Sequence, residues 1–243
     1  MKLVKKFQDR IKHGGIHSGL SGALGYLYTY HVREWLLKQD LLIRPSIQTY
    51  NSIEVPTKKC IFDPYFPCFI NDENPRYEDA EVNALREYCN VGDSVVIVGG
   101  GLGVTTVIAG NLIGEDGEVH TYEAQEDRYE QIRRTTEHNE LSNRVTIHHS
   151  FVGENRGDEV AADTVITVPD QIPTCEYLEL DCEGSEGYII EHMNIKPRTI
   201  SAEIHKSEVS YNEIRDALSR KGYEVEQYLE KDNSLSHMIA TRK

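Results

Sequence analysis

Three glycines spaced two residues apart are the most informative chemical feature of the chain. Gly99, Gly101 and Gly103 follow an apolar run and precede an apolar, helix-like stretch. A strand that ends in glycines and opens a helix lets the backbone approach a nucleotide-like ligand closely, because glycine has no Cβ. Dinucleotide sites use Gly-x-Gly-x-x-Gly, but the last position of that pattern, counted from Gly99, is Val104. The spacing is instead Gly-x-Gly-x-Gly, which counts against a dinucleotide.

An acidic residue stands at the end of the next predicted strand. Glu123 lies 20 residues after Gly103, where a carboxylate can accept hydrogen bonds from both hydroxyls of a ribose. The alternative is that Glu123 only caps the following helix. A Gly-x-Gly-x-Gly loop is common in S-adenosylmethionine-dependent methyltransferases, whose cofactor has a ribose but no pyrophosphate. We therefore predict that Gly99, Gly101, Gly103 and Glu123 bind S-adenosylmethionine.

A second group of ionisable residues falls on two later strands. Asp181 and Glu183 lie at and just beyond the carboxyl end of one predicted strand, and Glu203 and His205 end the next. Residues two apart on a strand point to the same side, and open α/β sheets bind ligands at the carboxyl ends of their strands. We predict that Asp181, Glu183 and His205 are catalytic. The alternative is that Asp181 and Glu183 cap the next helix while His205 lies in a surface loop.

These side chains need a sheet to position them. Beyond residue 75, strands and helices alternate, which predicts a doubly wound α/β domain over residues 76–243. Its predicted strands are 95–98, 119–123, 145–150, 177–181, 199–205, 223–228 and 237–241, and its predicted helices are 78–89, 104–112, 127–137, 186–193 and 211–221. Residues 1–75 are predicted to form a small extension. Its predicted elements are a short amphipathic helix through Leu3, Phe7 and Ile11, a helix over 23–38, and strands over 47–55 and 59–62.

Composition narrows the class of protein. The 243 residues carry a net charge of −14, which argues against a nucleic-acid partner. The five cysteines include no Cys-x-x-Cys pair, so we predict neither a disulfide framework nor a zinc site. No segment has the apolar core of a secretion signal or the roughly 18 apolar residues of a membrane span. We expect a cytoplasmic enzyme.

The charge is unevenly distributed along the chain. Residues 1–38 contain seven Lys or Arg and two acidic residues, a balance of +5. One interpretation is a peripheral contact between this basic arm and the anionic inner surface of a membrane. The other is that its helix packs on the domain with the lysines in solvent.

The chain resembles the FkbM family of S-adenosylmethionine-dependent methyltransferases over roughly residues 77–242. The motifs that carry the resemblance are Gly92-Asp93, Asp181-x-Glu183-Gly184-x-Glu186 and Glu203-Ile204-His205. The resemblance implies a Rossmann-like class I methyltransferase sheet and transfer of a methyl group to an oxygen of a sugar or natural product. The N-terminal third is similar to archaeal proteins, of which one type methylates a hexuronic acid of a lipid-carried N-glycan. The expected acceptor is therefore a sugar or glycan, with a small natural product as the alternative.

One position departs from the family pattern. Family members usually have an acidic residue two positions before the first glycine, where this chain has Ile97. The substitution removes a contact expected to brace the loop or to bind the cofactor's amine.

Two acceptor chemistries and three other protein classes remain open. A sugar hydroxyl needs a base, for which Asp181 and His205 are candidates, with Glu183 orienting the acceptor. A uronic-acid carboxylate is already ionised and needs no base. The other classes are a flavin or nicotinamide oxidoreductase, a catalytically inactive binding subunit, and a methyltransferase that holds a hard metal ion on Asp181, Glu183 and His205.

Overall fold

A computed structural model describes residues 24–65, 73–154, 164–182, 184–205, 210–230 and 235–242. The predicted first helix, most of the basic arm and Glu183 lie outside these residues. The chain divides into two compact units. Among the described residues, one unit contains 24–49, 56–65 and 73–74, and the other contains 50–55 and everything from residue 75 onward.

The first unit combines a helical segment with a small sheet. The helix predicted over 23–38 is present from residue 24, with a π-helical turn at Tyr28–Val32 and α1 at Arg33–Lys38. Strands β1 (Ile43–Tyr50), β2 (Ile53–Cys60) and β3 (Glu73–Asn74) form a sheet in the order β2-β1-β3. The segment after β2 forms a 3₁₀ turn, Asp63–Tyr65. Its buried Asp63 accepts hydrogen bonds from Tyr28 Oη (2.6 Å) and Arg33 Nε (3.1 Å).

The strands predicted over 47–55 and 59–62 are wrong in their bounds. Asn51 and Ser52 have φ values of +48° and +70° and form a turn between β1 and β2. Positive φ at both central residues is the geometry of a type I′ hairpin, whose twist matches that of the flanking strands. Serine is not a typical residue for this turn, so the sequence pattern conceals it.

The second unit contains a seven-stranded sheet in the order β6-β5-β4-β9-β10-β12-β11. β12 runs in the direction opposite to the other six strands. Its strands and helices are α2 (Asp79–Tyr88), β4 (Ser94–Val98), α3 (Val104–Ile113), β5 (Glu118–Glu123), α4 (Glu126–His138), β6 (Val145–His149), β7 (Phe151–Val152), β8 (Ile166–Thr167), β9 (Tyr177–Leu180), α5 (Glu186–His192), β10 (Thr199–His205), α6 (Tyr211–Arg220), β11 (Tyr223–Glu230) and β12 (Leu235–Arg242). The predicted doubly wound α/β fold is confirmed.

Burial of both sheet faces explains why β4 is a continuous apolar run. Val95 and Ile97 pack in one cluster with residues of α2 and α3, whereas Val96 and Val98 pack in another with residues of α5 and α6. A strand covered on both faces cannot alternate apolar and polar residues. Helices on both faces leave the sheet's edge at the carboxyl ends of the strands as the place for a ligand.

The strand order places a crevice at that edge. From β4 the chain proceeds outward to β5 and β6, then returns to β9 on the other side of β4. The order therefore reverses between β4 and β9, and open α/β sheets bind ligands at such a switch point. Within the part of the chain that the structure describes, no helix is both long and apolar enough to cross a bilayer.

Candidate active site

The glycine loop lies at this switch point and needs its glycines for backbone reasons. Gly99, Gly101 and Gly103 have φ values of +93°, +53° and +83°, a region that side chains disfavour. A Cβ on Gly99 would lie 1.7 Å from the carbonyl oxygen of Asp181, so the loop and the end of β9 are in direct contact. Gly103 is the N-cap of α3.

The structure adds a fourth glycine to the loop. A Cβ on Gly100 would lie 2.5 Å from Thr121 Cγ2 and 2.6 Å from Ile132 Cδ1. Gly100 therefore lets the loop pack against β5 and α4. The Gly-x-Gly-x-Gly spacing gives this position no role, although the unbroken run of three glycines is a visible signal.

Glu123 ends β5 and joins the glycine loop to the start of the next helix. Its Oε2 accepts the N–H of Gly101 at 3.4 Å, and its Oε1 accepts the N–H of Gln125, the N-cap of α4, at 2.9 Å. Glu123 therefore binds the N-cap residue of α4 without capping the helix, which has no side-chain cap hydrogen bond. The same carboxylate also reaches the loop. Two carboxylate oxygens offer about four acceptor positions, so capacity for two ribose hydroxyls remains.

A cavity of about 870 Å³ opens between these residues and the end of β9. Its size is within the usual range of small-molecule sites, roughly 300–1,000 Å³. Its lining includes Gly99, Gly101, Glu123 and Asp181. Two of the three predicted glycines, the predicted ribose acid and one predicted catalytic residue thus border one cavity, whereas Gly103 and His205 are not among its lining residues.

Three of the four residues in the second predicted group lie together, and Glu186 joins them. His205 Nε2 lies 4.0 Å from Asp181 Oδ1 and 3.8 Å from Glu203 Oε1. On the other side of the ring, Nδ1 lies 3.4 Å from Glu186 Oε1. The structure thus brings Asp181 and His205 together and surrounds the imidazole with three acidic side chains, while Glu183 lies outside the described residues.

Burial and like charge perturb the acids of this site. Burial raises the pKa of Asp181 to about 7, and the nearby carboxylate of Glu203 contributes to the rise. Burial likewise raises the pKa of Glu78 to about 8; a hydrogen bond with Tyr77 opposes the rise, and Asp181, Glu81 and Glu203 add to it. Crowded carboxyl groups with displaced pKa values are typical of functional sites.

Tyr77 and Glu78 are lining residues that the sequence pattern does not reveal. Both border the cavity, and a Cβ on Gly101 would lie 3.4 Å from Glu78 Oε1. Glu78 is the N-cap of α2 with a φ of +49°, a left-handed conformation that few non-glycine residues adopt. In the sequence Glu78 is simply the first residue of a predicted helix.

The pKa of Glu78 predicts a stability change for Glu78→Gln. A carboxyl group whose pKa is higher in the folded state stabilises the fold while protonated, and this contribution is lost as pH rises from about 4.5 to 8. We expect the free energy of unfolding of the glutamine variant to exceed that of wild type by roughly 2–4 kcal/mol at pH 8, so the variant is more stable there. Below about pH 4 the two free energies should be equal. Urea titrations across this pH range measure the difference.

A matched control for this prediction is Glu87→Gln on the exposed side of the same helix. It should change the free energy of unfolding little at any pH. A Glu78→Gln variant that is less stable than wild type at pH 8 would contradict the assigned direction of the shift.

The acid absent at position 97 has a counterpart on the neighbouring strand. Ile97 is paired in register with Glu179 of β9, and paired residues of parallel strands point to the same face. Glu179 is 2% exposed. Burial raises the pKa of Glu179 well above its usual range, and the negative charge of Glu81 adds to the rise. A carboxyl group therefore lies one strand away from the position where the family pattern places it.

Comparisons with known proteins find similarity to solved structures but none to curated sequences. The sequence matches no protein-family model and no curated protein sequence. Among solved structures, a SAM-dependent methyltransferase from Aquifex aeolicus is 15% identical, with 70% of this chain and 94% of that chain covered and a TM-score of 0.47. A SAM-dependent O-methyltransferase from Thermotoga maritima is 15% identical, with 81% and 77% covered and a TM-score of 0.48.

A third similar structure is the precorrin-6y C5,15-methyltransferase from Geobacter metallireducens, at 14% identity, with 70% and 89% covered and a TM-score of 0.49. TM-scores below 0.5 at such identities do not transfer an activity or a cofactor to this chain. The strand order and the single antiparallel strand of the sheet themselves define a Rossmann-like α/β fold of the class I methyltransferase type.

Proposed function

We propose that the protein is an S-adenosylmethionine-dependent O-methyltransferase. The observation that carries the proposal is the joint position of the glycine loop and Glu123 in one cavity, where the Glu123 carboxylate accepts the Gly101 N–H. A ribose hydrogen-bonded to Glu123 would lie beside backbone that has no side chains. Asp181 would then face the reactive end of the cofactor from β9.

Two features favour this cofactor over a dinucleotide. The glycines lack the register that cradles a pyrophosphate. The usual dinucleotide fold has six parallel strands in the order 3-2-1-4-5-6, whereas here the antiparallel β12 lies between β10 and β11. Both differences count against the flavin or nicotinamide alternative.

The proposed chemistry is a displacement at the methyl group of a sulfonium ion. The acceptor oxygen forms a bond to the methyl carbon while the carbon–sulfur bond breaks. The electron pair of the carbon–sulfur bond stays on sulfur, which becomes a neutral thioether. The enzyme chiefly aligns the two reactants, and such alignment can supply about 7–11 kcal/mol of the barrier. A hydroxyl acceptor must also lose its proton, and Asp181 and His205 are the candidates to receive it.

For the acceptor we favour a sugar, specifically a hexuronic acid of a lipid-linked or protein N-glycan. The support is the FkbM-like set of motifs. Of these, Asp181 and Gly184 border the cavity, and Glu203 and His205 lie beside Asp181. For a lipid-linked acceptor, the +5 balance of residues 1–38 supports a location at the cytoplasmic membrane surface.

The cofactor assignment predicts a loss of affinity in Glu123→Ala. We expect S-adenosylmethionine to bind the variant about 1.5–3 kcal/mol more weakly, because hydrogen bonds to a charged acceptor contribute about that much. Isothermal titration calorimetry measures the difference. The matched control is Glu118→Ala at the opposite, exposed end of the same strand, which should bind normally.

Transfer of an isotope-labelled methyl group to uronic acids and neutral sugars then tests the reaction. Unchanged cofactor affinity in a folded Glu123→Ala variant would remove Glu123 from the site. Failure of the wild-type protein to bind S-adenosylmethionine at all would overturn the proposed function.

A further inference from the structure

We propose that Asp181, Glu203 and His205 form a binding site for one divalent cation of the Mn²⁺ type. The cysteine spacing predicts no zinc site, and the hard-metal site that the sequence leaves open uses Glu183, which lies outside the described residues. The proposed site is instead assembled from two strands that are neighbours in space. Asp181 directly follows one of these strands, β9, and Glu203 and His205 lie on the other, β10.

The geometry is close to that of a liganded ion. The carboxylate oxygens of Asp181 and Glu203 and one imidazole nitrogen of His205 all lie within 4.8 Å of one another. Ligand atoms bound at about 2.0–2.2 Å lie about 3–4.4 Å apart around one ion. Small rotations of these side chains therefore suffice to enclose a cation.

The backbone fixes this arrangement. Glu203 and His205 are two residues apart on β10 and point to the same side. The parallel register pairs Ala202 with Leu180, which places Asp181 beside Glu203 at the next position. Ligands carried by adjacent strands are held more rigidly than ligands on loops.

An independent observation is the buried carboxylate of Glu186 behind the imidazole. Its Oε1 lies 3.4 Å from His205 Nδ1 and accepts the N–H groups of Cys182 and Gly184. The side chain is fully buried, and its Oε2 has no hydrogen-bond partner among the described residues. A carboxylate on one nitrogen of a histidine directs the other nitrogen to a metal, and here the other nitrogen faces Asp181 and Glu203.

The negative charge around His205 also favours a divalent cation. Three carboxylates surround one imidazole within 4.0 Å. Even a protonated imidazole would leave two negative charges in excess if all three acids were ionised. Partly buried charge of one sign is costly unless it is neutralised, and a divalent cation supplies that balance.

The donor set favours an ion that accepts both oxygen and nitrogen. Carboxylates suit Mg²⁺, Ca²⁺ and Mn²⁺, and imidazole suits transition metals, so Mn²⁺ fits both kinds of ligand. Asp181 borders the cavity, which leaves the remaining coordination positions open on that side. If the proposed function holds, these positions would bind acceptor oxygens and promote ionisation of a hydroxyl; cation binding itself does not depend on that function.

The test is titration of chelator-treated, full-length protein with MnCl₂, followed by the electron paramagnetic resonance signal of free Mn²⁺. We expect one Mn²⁺ per chain. The ligand variants Asp181→Asn and Glu203→Gln should each weaken binding at least tenfold. The positioning variant Glu186→Gln should weaken it by about 10–100-fold. Asp216→Asn, an exposed residue of α6 paired with Arg215, is the matched control and should bind like wild type.

A second measurement does not depend on the folding of the variants. Mn²⁺ should raise the melting temperature of the wild-type protein, because a ligand that binds only the folded state stabilises it. Absence of Mn²⁺ binding to the wild type, or binding that neither ligand variant weakens, would overturn the proposal.

Calorimetry with S-adenosylmethionine separates this proposal from the proposed function. Cofactor binding without Mn²⁺ binding would overturn the cation site alone. Mn²⁺ binding with the expected variant pattern would support the cation site even in a protein that does not bind the cofactor.

Discussion

Gly101→Val is expected to reduce S-adenosylmethionine binding at least 100-fold. Gly101 has a φ of +53°, and its missing Cβ would point toward Glu78 Oε1 and the hydroxyl of Tyr77, at 3.4 and 3.6 Å. These distances leave room for one methyl group but not for a larger side chain. The side chains of Glu78 and Tyr77 both border the cavity. A valine would therefore fill the space between the loop and Glu78, where the proposed cofactor approaches the backbone.

Backbone strain alone would also harm the variant, so the control must share it. Gly92→Val provides this control, because Gly92 has a φ of +85° and a Cβ there would meet no atom within 4 Å. Both variants should lose roughly 1–3 kcal/mol of stability through the left-handed conformation. Only Gly101→Val should lose cofactor affinity, which calorimetry measures at a temperature where both remain folded. Equal affinities of the two variants would mean that the cofactor does not contact this loop.

The glycine loop was predictable because its signal is local. The apolar run, the glycines and the following helix occupy consecutive residues, and Glu123 follows within one βα unit. Strand–loop–helix geometry then fixes where Gly99, Gly101 and Glu123 meet. A sequence pattern is sufficient whenever the residues of a site are placed by one supersecondary unit.

The rest of the site depends on contacts between distant parts of the chain. Glu78 reaches the glycine loop from the start of a different helix, through a left-handed residue that no sequence rule predicts. The pairing of Ile97 with Glu179 likewise follows from the strand order. That order places β9 beside β4, although 78 residues lie between the end of β4 and the start of β9. Periodicity predicts that these strands exist, but their neighbours are set by tertiary packing.

The same distinction explains the errors in the extension. The helix over 23–38 has local periodicity and was predictable. The hairpin turn at Asn51 and Ser52 lies inside a segment, 47–55, whose other residues mostly suit a strand. The pairing of β1 with β2 sets the position of this turn, and no glycine in the sequence indicates it.

Asp181→Asn is expected to lower kcat at least 100-fold for a hydroxyl acceptor while leaving the affinity for S-adenosylmethionine within about threefold of wild type. Asp181 borders the cavity and lies beside His205 and Glu203, so its carboxylate is placed to handle the proton of an acceptor. A positioned base contributes about 10²–10⁴-fold. Steady-state kinetics and calorimetry measure the two quantities, with Asp216→Asn as the control.

Loss of a base and loss of a metal ligand would lower kcat alike, but they respond differently to added ion. If Asp181 acts as a ligand, the remaining Glu203 and His205 retain weakened affinity, and excess Mn²⁺ should restore part of the rate. If Asp181 is itself the base, no concentration of Mn²⁺ restores it. The double variant Asp181→Asn/His205→Ala should be inactive in either case, and near-normal turnover by this protein would exclude both residues from the chemistry.

The size of the loss also identifies the acceptor atom. A uronic-acid carboxylate is ionised at neutral pH, so its methylation needs no base and Asp181→Asn should then cost less than about tenfold in kcat. Comparing a uronic acid with the corresponding neutral sugar in the same variant separates the two chemistries within one protein. A large loss with the neutral sugar and a small one with the uronic acid would assign Asp181 to the proton of a hydroxyl. If the enzyme methylates both the uronic acid and the neutral sugar, small losses of kcat with both substrates would mean that alignment of the reactants accounts for catalysis.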